Sequence, residues 1–351
     1  MQALVFHGPN NLSLEQIPVP AVGVGEVLIR VHTATICGTD LRIVSGKKTR
    51  DVRLGHPIGH ECAGTIAAVG EGVEGYGMGD RVAICVVVTC GACDYCDNDQ
   101  ENLCRERITL GYHTDGAFAE YMLIPAHAVR RGNVYHLPDS VPIESASLIE
   151  PMACCINGQH EMGLSDEWVH RKARRVVIFG AGPIGLFHLM LIKARWPGVH
   201  VTVVEPSDVR RRHAIDRYAD VAAALDAQFE DDSFDAAILA VGVADLVPRL
   251  FRLVQPGGRV NLFAGFDVGA SSAIDPNEIH YKQLHVTGAS ESRRRDYTEA
   301  LMLVGQGRIE PAPLITHRFA LADHAAAFDT AAAGKGLKVA FQIGPPAGGA
   351  G

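Results

Sequence analysis

Apolar and polar residues alternate with a period of two through about the first 125 residues of the chain. Such runs cover residues 3–6, 26–31, 64–69 and 80–84, and prolines or glycines separate them. Successive side chains of a strand point to opposite faces, so this spacing predicts short strands and no long helix. We therefore expect this part of the chain to form a small β-barrel or β-sandwich.

A different pattern begins near residue 151, where apolar residues take the spacing of helices. From residue 176 strand-like and helix-like segments alternate. Strands are predicted at 176–180, 200–205, 234–240, 258–263 and 284–288. Alternating strands and helices are typical of a parallel sheet covered by helices. The middle of the chain is therefore predicted to be a doubly wound α/β domain.

The alternation ends near residue 290. Beyond it the pattern predicts a helix at 297–304, a strand at 314–321, a helix at 323–333 and a strand at 337–343. We expect these elements to return to the first domain, which makes the α/β domain an insertion. The predicted divisions are 1–152, 153–290 and 291–351, and the tail 345–351 is predicted to be disordered.

The α/β domain opens on a glycine-rich turn. The segment Gly180-Ala-Gly182-Pro183-Ile184-Gly185 follows a strand and begins an apolar helix. In a dinucleotide fingerprint the first glycine allows a tight turn, the second lets backbone approach a pyrophosphate, and the third lets helix pack on strand. Free N–H groups at the helix start, at Pro183-Ile184-Gly185, would favour that pyrophosphate. We predict a dinucleotide site; a glycine turn in another α/β unit is the alternative.

Glu205 ends the next predicted strand, 20 residues after Gly185. A carboxylate there can accept both hydroxyls of an adenosine ribose, and its charge disfavours a 2′-phosphate. The sequence therefore favours NAD. Arg210, the first of three consecutive arginines, is the candidate for binding the 2′-phosphate of NADP, the alternative cofactor, although it lies on the following predicted helix.

Composition narrows the class of function. The chain has 351 residues, which fits two domains, with 47% hydrophobic and 21% charged residues, as in ordinary globular proteins. Its net charge of −8 argues against nucleic acids and anionic membranes as partners. The sequence has no evident signal peptide and no apolar run of the roughly 20 residues that a membrane span needs. We expect a cytoplasmic protein that acts on a small molecule.

Nine cysteines without a secretory signal point to metal binding rather than disulfides. Cys90, Cys93, Cys96 and Cys104 are closely spaced, and four thiolates can complete a tetrahedral zinc shell. A complete shell leaves no position for a substrate, so this zinc is predicted to be structural. An iron–sulfur cluster is the alternative. The cysteines at 62, 85, 154 and 155 are expected to pack in the interior.

A second set of metal donors lies earlier in the chain. Cys37 opens the sequence Cys-Gly-Thr-Asp, and His60 and Glu61 follow a glycine. Each residue alone is more often a packing or surface residue, but thiolate, imidazole and carboxylate are all zinc ligands. Three protein ligands with one open position describe a catalytic zinc. Glu150 is a further candidate ligand, and an acid at a helix N-terminus is its other interpretation.

Together these motifs resemble a zinc-dependent medium-chain dehydrogenase over essentially the whole chain. The motifs are CGTD at 37–40, GHE at 59–61, the four-cysteine lobe at 90–104, DGAFAEY at 115–121, EP at 150–151 and GAGPIG at 180–185. The resemblance implies a GroES-like β-barrel catalytic domain that holds two zinc ions, an inserted Rossmann domain, and a homodimer or homotetramer. The two glutamates are similar to those of the polyol branch, which includes sorbitol, galactitol-phosphate, threonine and cyclitol dehydrogenases.

The resemblance also implies roles for individual residues. Glu150 would bind the catalytic zinc directly or through its water. Lys338 would reach the cofactor pyrophosphate. By the same resemblance, Cys37, His60 and Glu61 would bind the zinc ion. Asp40 would orient the histidine ring, and Thr39 would take up the alcohol proton.

Arg42 departs from the family pattern, because relatives often have histidine at this position as the outer end of a proton relay. An arginine is no base at neutral pH. Either water completes the relay or Arg42 holds an anionic group such as a phosphate. A solvated or ion-paired arginine is the simpler interpretation.

The expected reaction is oxidation of a secondary alcohol of a polyol or cyclitol to a ketone, with NAD as acceptor. Zinc would lower the pKa of the alcohol, and hydride would pass to the nicotinamide. An exchangeable Glu150 would let a neighbouring hydroxyl reach the metal, which favours vicinal diols. The alternatives are an NADP-dependent reductase of ketones or aldehydes, an aminocyclitol or sugar dehydrogenase, and a non-catalytic binding protein.

Three other segments carry weaker signals. Tyr112 and His113 would line the substrate pocket or belong to a surface loop. The basic segment 46–50 is expected to be solvated, with contact to a phosphorylated or acidic substrate as the alternative. The three arginines at 293–295 are expected on the surface.

Overall fold

The computed structural model describes residues 1–170 and 173–344. The chain divides into two compact units, one formed by Met1–Glu150 with the chain from Arg293 onward, the other by Pro151–Ser292. Both divisions lie within two residues of the predicted positions. The tail predicted to be disordered, 345–351, lies outside the described residues.

The first unit consists mainly of strands. They are β1 (Gln2–Gly8), β2 (Asn11–Gln16), β3 (Val27–Thr35), β4 (His56–Pro57), β5 (Glu61–Val69), β6 (Arg81–Ile84), β7 (Val87–Val88), β8 (Ile108–Thr109), β9 (Tyr121–Ile124) and β10 (Val134–His136). Four short helices accompany them: α1 (Gly38–Val44), α2 (Asp94–Asp97), α3 (Ala126–Arg130) and α4 (Ile143–Ala146).

The second unit alternates strands with helices. In chain order its elements are α5 (Ile149–Glu161), α6 (Asp166–His170), β11 (Arg175–Phe179), α7 (Pro183–Arg195), β12 (His200–Val204), α8 (Asp208–Asp216), β13 (Val221–Ala223), β14 (Phe234–Leu239), α9 (Val247–Leu253), β15 (Val254–Leu262), α10 (Pro276–Lys282) and β16 (His285–Gly288). The chain then returns to the first unit as α11 (Arg294–Gly305), β17 (Ile315–Phe319), α12 (His324–Ala332) and β18 (Lys338–Gln342).

The strands predicted in the first part of the chain form a three-stranded sheet, β2-β1-β4, and contribute to a seven-stranded sheet. Its order is β10-β6-β5-β3-β18-β17, with β9 also paired to β3. β18 runs antiparallel to β3, so a strand from the end of the chain completes this sheet. Phe118 and Phe341 meet edge to face in the core of the unit, with ring centroids 5.1 Å apart.

The second unit has a six-stranded parallel sheet of order β13-β12-β11-β14-β15-β16. Numbered within the unit this is 3-2-1-4-5-6, the order of dinucleotide-binding doubly wound sheets. Val177, Phe179 and Leu239 of its central strands are fully buried in a core shared with α9. Strands covered in this way need apolar residues at successive positions, which explains the unbroken hydrophobic run before the glycine turn.

The predicted fold class is confirmed, and the differences lie at the margins. β13 was missed because two of its three residues are alanines, which favour helices over strands; Val221 is exposed and the alanines are partly buried. β15 begins four residues earlier than predicted, at Val254. Within residues 1–170 and 173–344, no helix is both long and apolar enough to cross a membrane.

Candidate active site

Three metal-donor side chains converge in the first unit. Cys37 is the N-cap of α1, and its backbone N–H donates to Asp40 Oδ2 at 2.9 Å, which closes the first turn. His60 immediately precedes β5, and Glu61 is the first residue of that strand. One donor atom from each of Cys37, His60 and Glu61 lies within 4.8 Å of the other two. Three ligands of these types suit a zinc ion with one position left for substrate.

A glycine is required next to this cluster. Gly59 has φ +100°, and a Cβ there would lie 2.5 Å from the ring of Phe118. Any side chain would therefore displace either the core phenylalanine or the backbone that leads into His60. This is the physical reason for glycine in the Gly-His-Glu motif.

Asp40 lies beside His60 in the interior of the first unit. His60 Nδ1 is 3.2 Å from Asp40 Oδ1, and the two side chains are 3% and 0% exposed. Burial would lower the pKa of His60, but the charges of Asp40 and Cys37 raise it well above its ordinary value.

Glu61 lies in a hydrogen-bonded row across three neighbouring strands. Its carboxylate on β5 accepts from the Thr35 hydroxyl on β3 and from the Lys338 ammonium on β18, with Nζ 2.5 Å from Oε1. The strand order β5-β3-β18 brings the three residues together. Glu61 is fully buried, so it needs such partners to remain charged.

Lys338 is buried beside Glu61. Its ammonium is directed to Glu61 and to the Ile36 carbonyl, and the residue is 4% exposed. Burial alone would lower the pKa of Lys338, but Glu61 and then Cys37 raise it above its ordinary value. β18 pairs with β3, and this places the ammonium against Glu61. The contact of Lys338 with the cofactor pyrophosphate stays a prediction.

Glu150 is buried near the start of α5 but stands apart from the three converging donors. Among the described residues, the group of mutually close donor atoms comprises Cys37, His60 and Glu61 only. Glu150 nonetheless makes a small contribution to raising the pKa of Lys338, after those of Glu61 and Cys37. The carboxylate is therefore near the cluster without belonging to it.

Thr39 and Arg42 both lie on α1, the helix that Cys37 begins. Both are partly exposed, whereas Asp40 between them is fully buried. One short helix thus presents a metal donor, a hydroxyl and a guanidinium within six residues.

The four cysteines of the lobe form a second cluster. Their Sγ atoms are 3.9 Å apart for Cys90 and Cys96, 3.6 Å for Cys93 and Cys96, and 3.5 Å for Cys90 and Cys104. Sulfurs bound tetrahedrally to one zinc ion would be about 3.8 Å apart. Hydrogen bonding by backbone lowers the pKa of Cys93 to about 6, and burial raises that of Cys104 to about 12. The set fits a closed four-thiolate shell.

The arginines predicted on the surface hold this lobe in place. Arg294 donates from Nη2 to Glu101 Oε2 at 2.9 Å, and its backbone N–H donates to Oε1 at 2.7 Å. Glu101 lies between the third and fourth cysteines. Arg293 is buried and pairs with Asp296 at 2.9 Å, whereas Arg295 is exposed. The surface prediction was wrong for Arg293, which is buried. Arg294 is about one-third exposed, and its partner Glu101, 193 residues away, leaves no local signal.

Each of the three glycines in the turn of the second unit lies in a different environment. A Cβ at Gly180, which has φ +104°, would lie 2.5 Å from Val241, and one at Gly185 would lie 1.9 Å from the Gly180 carbonyl oxygen. Gly182 is the N-cap of α7, and a Cβ there would meet nothing within 4 Å. Pro183, Ile184 and Gly185 form the first turn of that helix. The space beside Gly182 suits a phosphate at a helix N-terminus.

Glu205 follows β12 and is held against the glycine turn. Its Oε2 accepts from the Ala181 N–H at 2.8 Å, and its Oε1 accepts from the Ser207 N–H at 3.0 Å. The Arg211 side chain also contacts Glu205, because its Nη1 donates to the backbone carbonyl of Glu205 at 2.6 Å. Arg210 is half-buried, and its backbone N–H donates to the Ser207 hydroxyl that caps α8.

Similar proteins cover nearly the whole chain. Residues 23–138 match the alcohol dehydrogenase GroES-like domain, and residues 183–306 match the zinc-binding dehydrogenases. The chain is 34% identical over 348 residues to an L-threonine 3-dehydrogenase of Pyrococcus abyssi, covering 94% of each protein. It is 29% identical over 356 residues to a sorbitol dehydrogenase of Halalkalibacterium halodurans, covering 97% of this chain and 98% of that one.

Solved structures give the same result. A short chain alcohol dehydrogenase of Escherichia coli CFT073, complexed with NADH, matches with a TM-score of 0.86 and 28% identity over 97% of this chain and 99% of that one. A protein described as a zinc-binding dehydrogenase of Sinorhizobium meliloti 1021, bound to NADP, matches with a TM-score of 0.87 and 27% identity over 97% and 98%. The chain therefore belongs to the zinc-dependent medium-chain dehydrogenase family, in its polyol and threonine dehydrogenase branch, and is an NAD(P)-dependent alcohol dehydrogenase.

Proposed function

We propose that the chain oxidises a secondary alcohol whose neighbouring carbon carries a second polar group, and that NAD accepts the hydride. The convergence of Cys37, His60 and Glu61 carries this proposal, because three such donors suit a zinc that keeps one position for substrate. The relatives support the substrate class. Threonine and sorbitol, named in two of them, both have a secondary hydroxyl beside a carbon that bears an amine or a hydroxyl.

Zinc at this site would act as a Lewis acid that lowers the pKa of the alcohol hydroxyl. Asp40 would hold the ring of His60 through Nδ1 and leave Nε2 for the metal. Thr39, two residues after Cys37 on α1, would take up the alcohol proton. Each of these residues therefore has a task in binding or proton transfer.

Charge balance in the cluster favours strong Lewis acidity. Three anionic ligands would neutralise the ion and weaken its pull on the alcohol oxygen. Here the Lys338 ammonium offsets the charge of Glu61, and Glu150 stands outside the ligand group. We propose that Glu150 accepts a hydrogen bond from the second polar group of the substrate, directly or through water.

Glu150→Gln tests that role. The substitution keeps the size of the side chain but removes its charge, so KM for an amino alcohol or a vicinal diol is expected to rise by about tenfold. A matched mono-alcohol is expected to be unaffected. Unchanged turnover of both classes would remove Glu150 from the site.

NAD is proposed as the preferred cofactor because Glu205 is anchored at the end of β12, where the adenosine ribose of a dinucleotide binds in this fold. A fixed carboxylate accepts ribose hydroxyls and repels a 2′-phosphate. Arg211 is occupied by backbone carbonyls, which leaves it less able to attract that phosphate. A lower KM for NADP than for NAD would overturn this preference.

The proposal includes two zinc ions per chain, one for each group of close donor atoms. It also includes a homodimer or homotetramer in the cytoplasm, as the resemblance implies. Metal analysis tests the zinc content, and light scattering tests the number of subunits.

The deciding experiment is NAD reduction by zinc-loaded protein with threonine, linear polyols, polyol phosphates, cyclitols, aminocyclitols and simple secondary alcohols. Each substrate is run with NAD and with NADP, before and after chelation. Chelator-sensitive turnover confined to alcohols with a polar neighbour is the expected result. Turnover of simple alcohols alone, or turnover indifferent to zinc removal, would contradict the proposal.

A further inference from the structure

A cationic segment lies beside the metal donors of the first unit. Residues 42–53 contain five cationic side chains and one acidic one, in a chain whose net charge is −8. Lys47, Arg50 and Arg53 are exposed, as solvated charges usually are. Lys48 differs, because it is partly buried and its ammonium lies over the ring of Tyr112, 5.0 Å from the centroid.

Tyr112 connects this ammonium to the cluster. The ring is 7% exposed, and it meets the His60 imidazole edge to face with centroids 4.8 Å apart. The two contacts limit the distance between the Lys48 ammonium and the imidazole centre to about 10 Å. With about 1.5 Å per carbon–carbon bond, a six-carbon chain extends up to about 7.5 Å. A terminal carboxylate or phosphate adds to this length, so the longer alcohols of the proposed class have the reach to contact that ammonium.

The position of Lys48 is fixed by backbone hydrogen bonds. Its N–H donates to the Arg42 carbonyl at 2.9 Å, on the helix that begins with Cys37. At the other end of the segment, the Arg53 N–H donates to the Tyr112 carbonyl at 3.0 Å. The loop is therefore attached both to the helix that carries a metal donor and to the residue that packs against His60.

The segment before Tyr112 lies directly against the metal ligand. A Cβ at Gly111, which has φ +89°, would be 2.3 Å from the Gly59 carbonyl oxygen and 3.3 Å from His60 Cβ. Only glycine permits this approach. Tyr112 is thus held in its position by the same backbone that presents His60.

Lys48 forms no salt bridge in the part of the chain that the structure describes. Asp51, the acid of its own segment, lies 3.5 Å from Arg50. A partly buried cation is normally paired with an anion, and the face of an aromatic ring compensates only part of its lost hydration. The N–H donors that do not face the ring are available to a ligand.

We propose that Lys48, packed on Tyr112, binds an anionic group of the alcohol that is held at the Cys37–His60–Glu61 site. The group is a carboxylate or a phosphate. This inference rests on the proposed function and narrows it, because it makes Lys48 a specificity determinant that favours anionic over neutral alcohols. The excess of positive charge in residues 42–53 would also speed the arrival of such substrates.

The test compares Lys48→Met, which keeps the length of the side chain, with Lys48→Arg, which keeps the charge. Lys47→Met is the matched control, because it removes the same charge one residue away. Two substrate pairs separate the anion sources: 2,3-dihydroxybutyrate with 2,3-dihydroxybutyramide, and galactitol 1-phosphate with galactitol. The pair in which Lys48→Met raises KM for the anionic member alone identifies carboxylate or phosphate as the recognised group.

Lys48→Met is expected to raise KM about tenfold or more for the anionic member of one pair. The kcat, and the KM of the neutral member, are expected to change less than about twofold. Lys48→Arg should restore most of the affinity, and Lys47→Met should have little effect. Equal changes for anionic and neutral members, or an equal effect of Lys47→Met, would reduce Lys48 to a general surface charge and overturn the inference.

Neutral alcohols separate this inference from the proposed function. Their turnover by the zinc-loaded enzyme supports the proposed function whatever Lys48 does. Without turnover of any alcohol, calorimetry with inorganic phosphate and with malonate tests the site directly. At least tenfold tighter binding of one anion to wild type than to Lys48→Met supports it, and equal affinities overturn it.

Discussion

The first unit contains two groups of metal donors that are built in opposite ways. Cys90, Cys93, Cys96 and Cys104 come from one short stretch, and their sulfurs approach one another. The other group takes its donors from two elements and adds a buried lysine that lies 277 residues from Glu61 in sequence.

The difference shows which group depends on its metal for structure. Among the described residues the four sulfurs contact one another, so an ion bound there is expected to define the shape of the lobe. At the other site, Asp40 lies beside His60, and Thr35 and Lys338 bind Glu61, so the protein itself orders the donors. An ion at that site is therefore expected to matter for reactivity more than for folding.

Cys37→Ser should have the largest effect. It removes one of three ligands, and activity is expected to fall by about a thousandfold or more, because the Lewis acid contributes several kcal/mol to the transition state. The melting temperature should change little, since Glu61 keeps its hydrogen bonds and His60 stays beside Asp40. The measurements are kcat/KM, zinc content and a thermal melt.

Cys154→Ser is the matched control for that substitution, because Cys154 lies outside both groups of donors. It should retain two zinc ions and most activity. An inactive but fully zinc-loaded Cys37→Ser protein would contradict the ligand role of the cysteine.

Cys96→Ser should have the opposite effect to Cys37→Ser, with a large loss of stability and a small loss of activity. Loss of the lobe zinc is expected to lower the melting temperature by about 10 °C or more, since structural zinc binding contributes several kcal/mol to folding. Protein that remains folded at low temperature should keep one zinc ion and much of its activity. Loss of activity in folded Cys96→Ser protein, with the other zinc retained, would show that the two groups are not separate in function.

Lys338→Met tests whether the protein orders the reactive donors without metal. The substitution leaves a buried carboxylate without its cation, which is expected to cost about 3–5 kcal/mol in metal-free protein. The cost should be smaller with zinc bound, because the ion then offsets the charge of Glu61. Denaturant unfolding with and without zinc measures the difference.

The pH dependence of this effect has a definite sign. The pKa of Lys338 is raised above 10.5 by its partners against the effect of burial, so the folded state holds this proton more tightly. The contribution is fully present below pH 10.5 and is lost as pH rises through the raised value. In metal-free protein, the difference in free energy of unfolding between wild type and Lys338→Met should become smaller in that alkaline range. A difference that does not change with pH would argue against the ion pair.

Arg294→Met should have the smallest effect and should act on the lobe alone. The guanidinium is about one-third exposed, so loss of its bonds to Glu101 is expected to cost about 1–2 kcal/mol after allowance for solvent screening. Zinc should leave the lobe faster, while the other zinc and kcat stay unchanged. Arg212→Met, at an exposed position on α8, is the control and should leave zinc release from the lobe unaltered.

Local patterns in the sequence predicted most of the fold, since strands β11, β12, β14 and β16 begin within one residue of their predicted starts. They also predicted the glycine turn and both groups of metal donors, because a ligand type at a fixed spacing is a local property. The donors Cys37, His60 and Glu61 do converge, whereas Glu150 does not join them.

The partners of these residues could not be predicted in the same way. Lys338 reaches Glu61 only because β18 pairs with β3, and the alternation of residues within a strand does not specify which strand lies beside it. Arg294 and Glu101 illustrate the same limit. The packing of Lys48 on Tyr112 combines a loop lysine with a buried ring, and each residue alone fits a surface loop.

Staged zinc removal, followed by metal content, activity and thermal melting in the same samples, tests the central contrast most directly. Two zinc ions per chain are expected at the start. Loss of one should abolish activity with a small change in melting temperature, and loss of the other should lower the melting temperature by several times as much. A single zinc per chain, or activity that survives until the stabilising zinc leaves, would contradict a division between a reactive and a structural site.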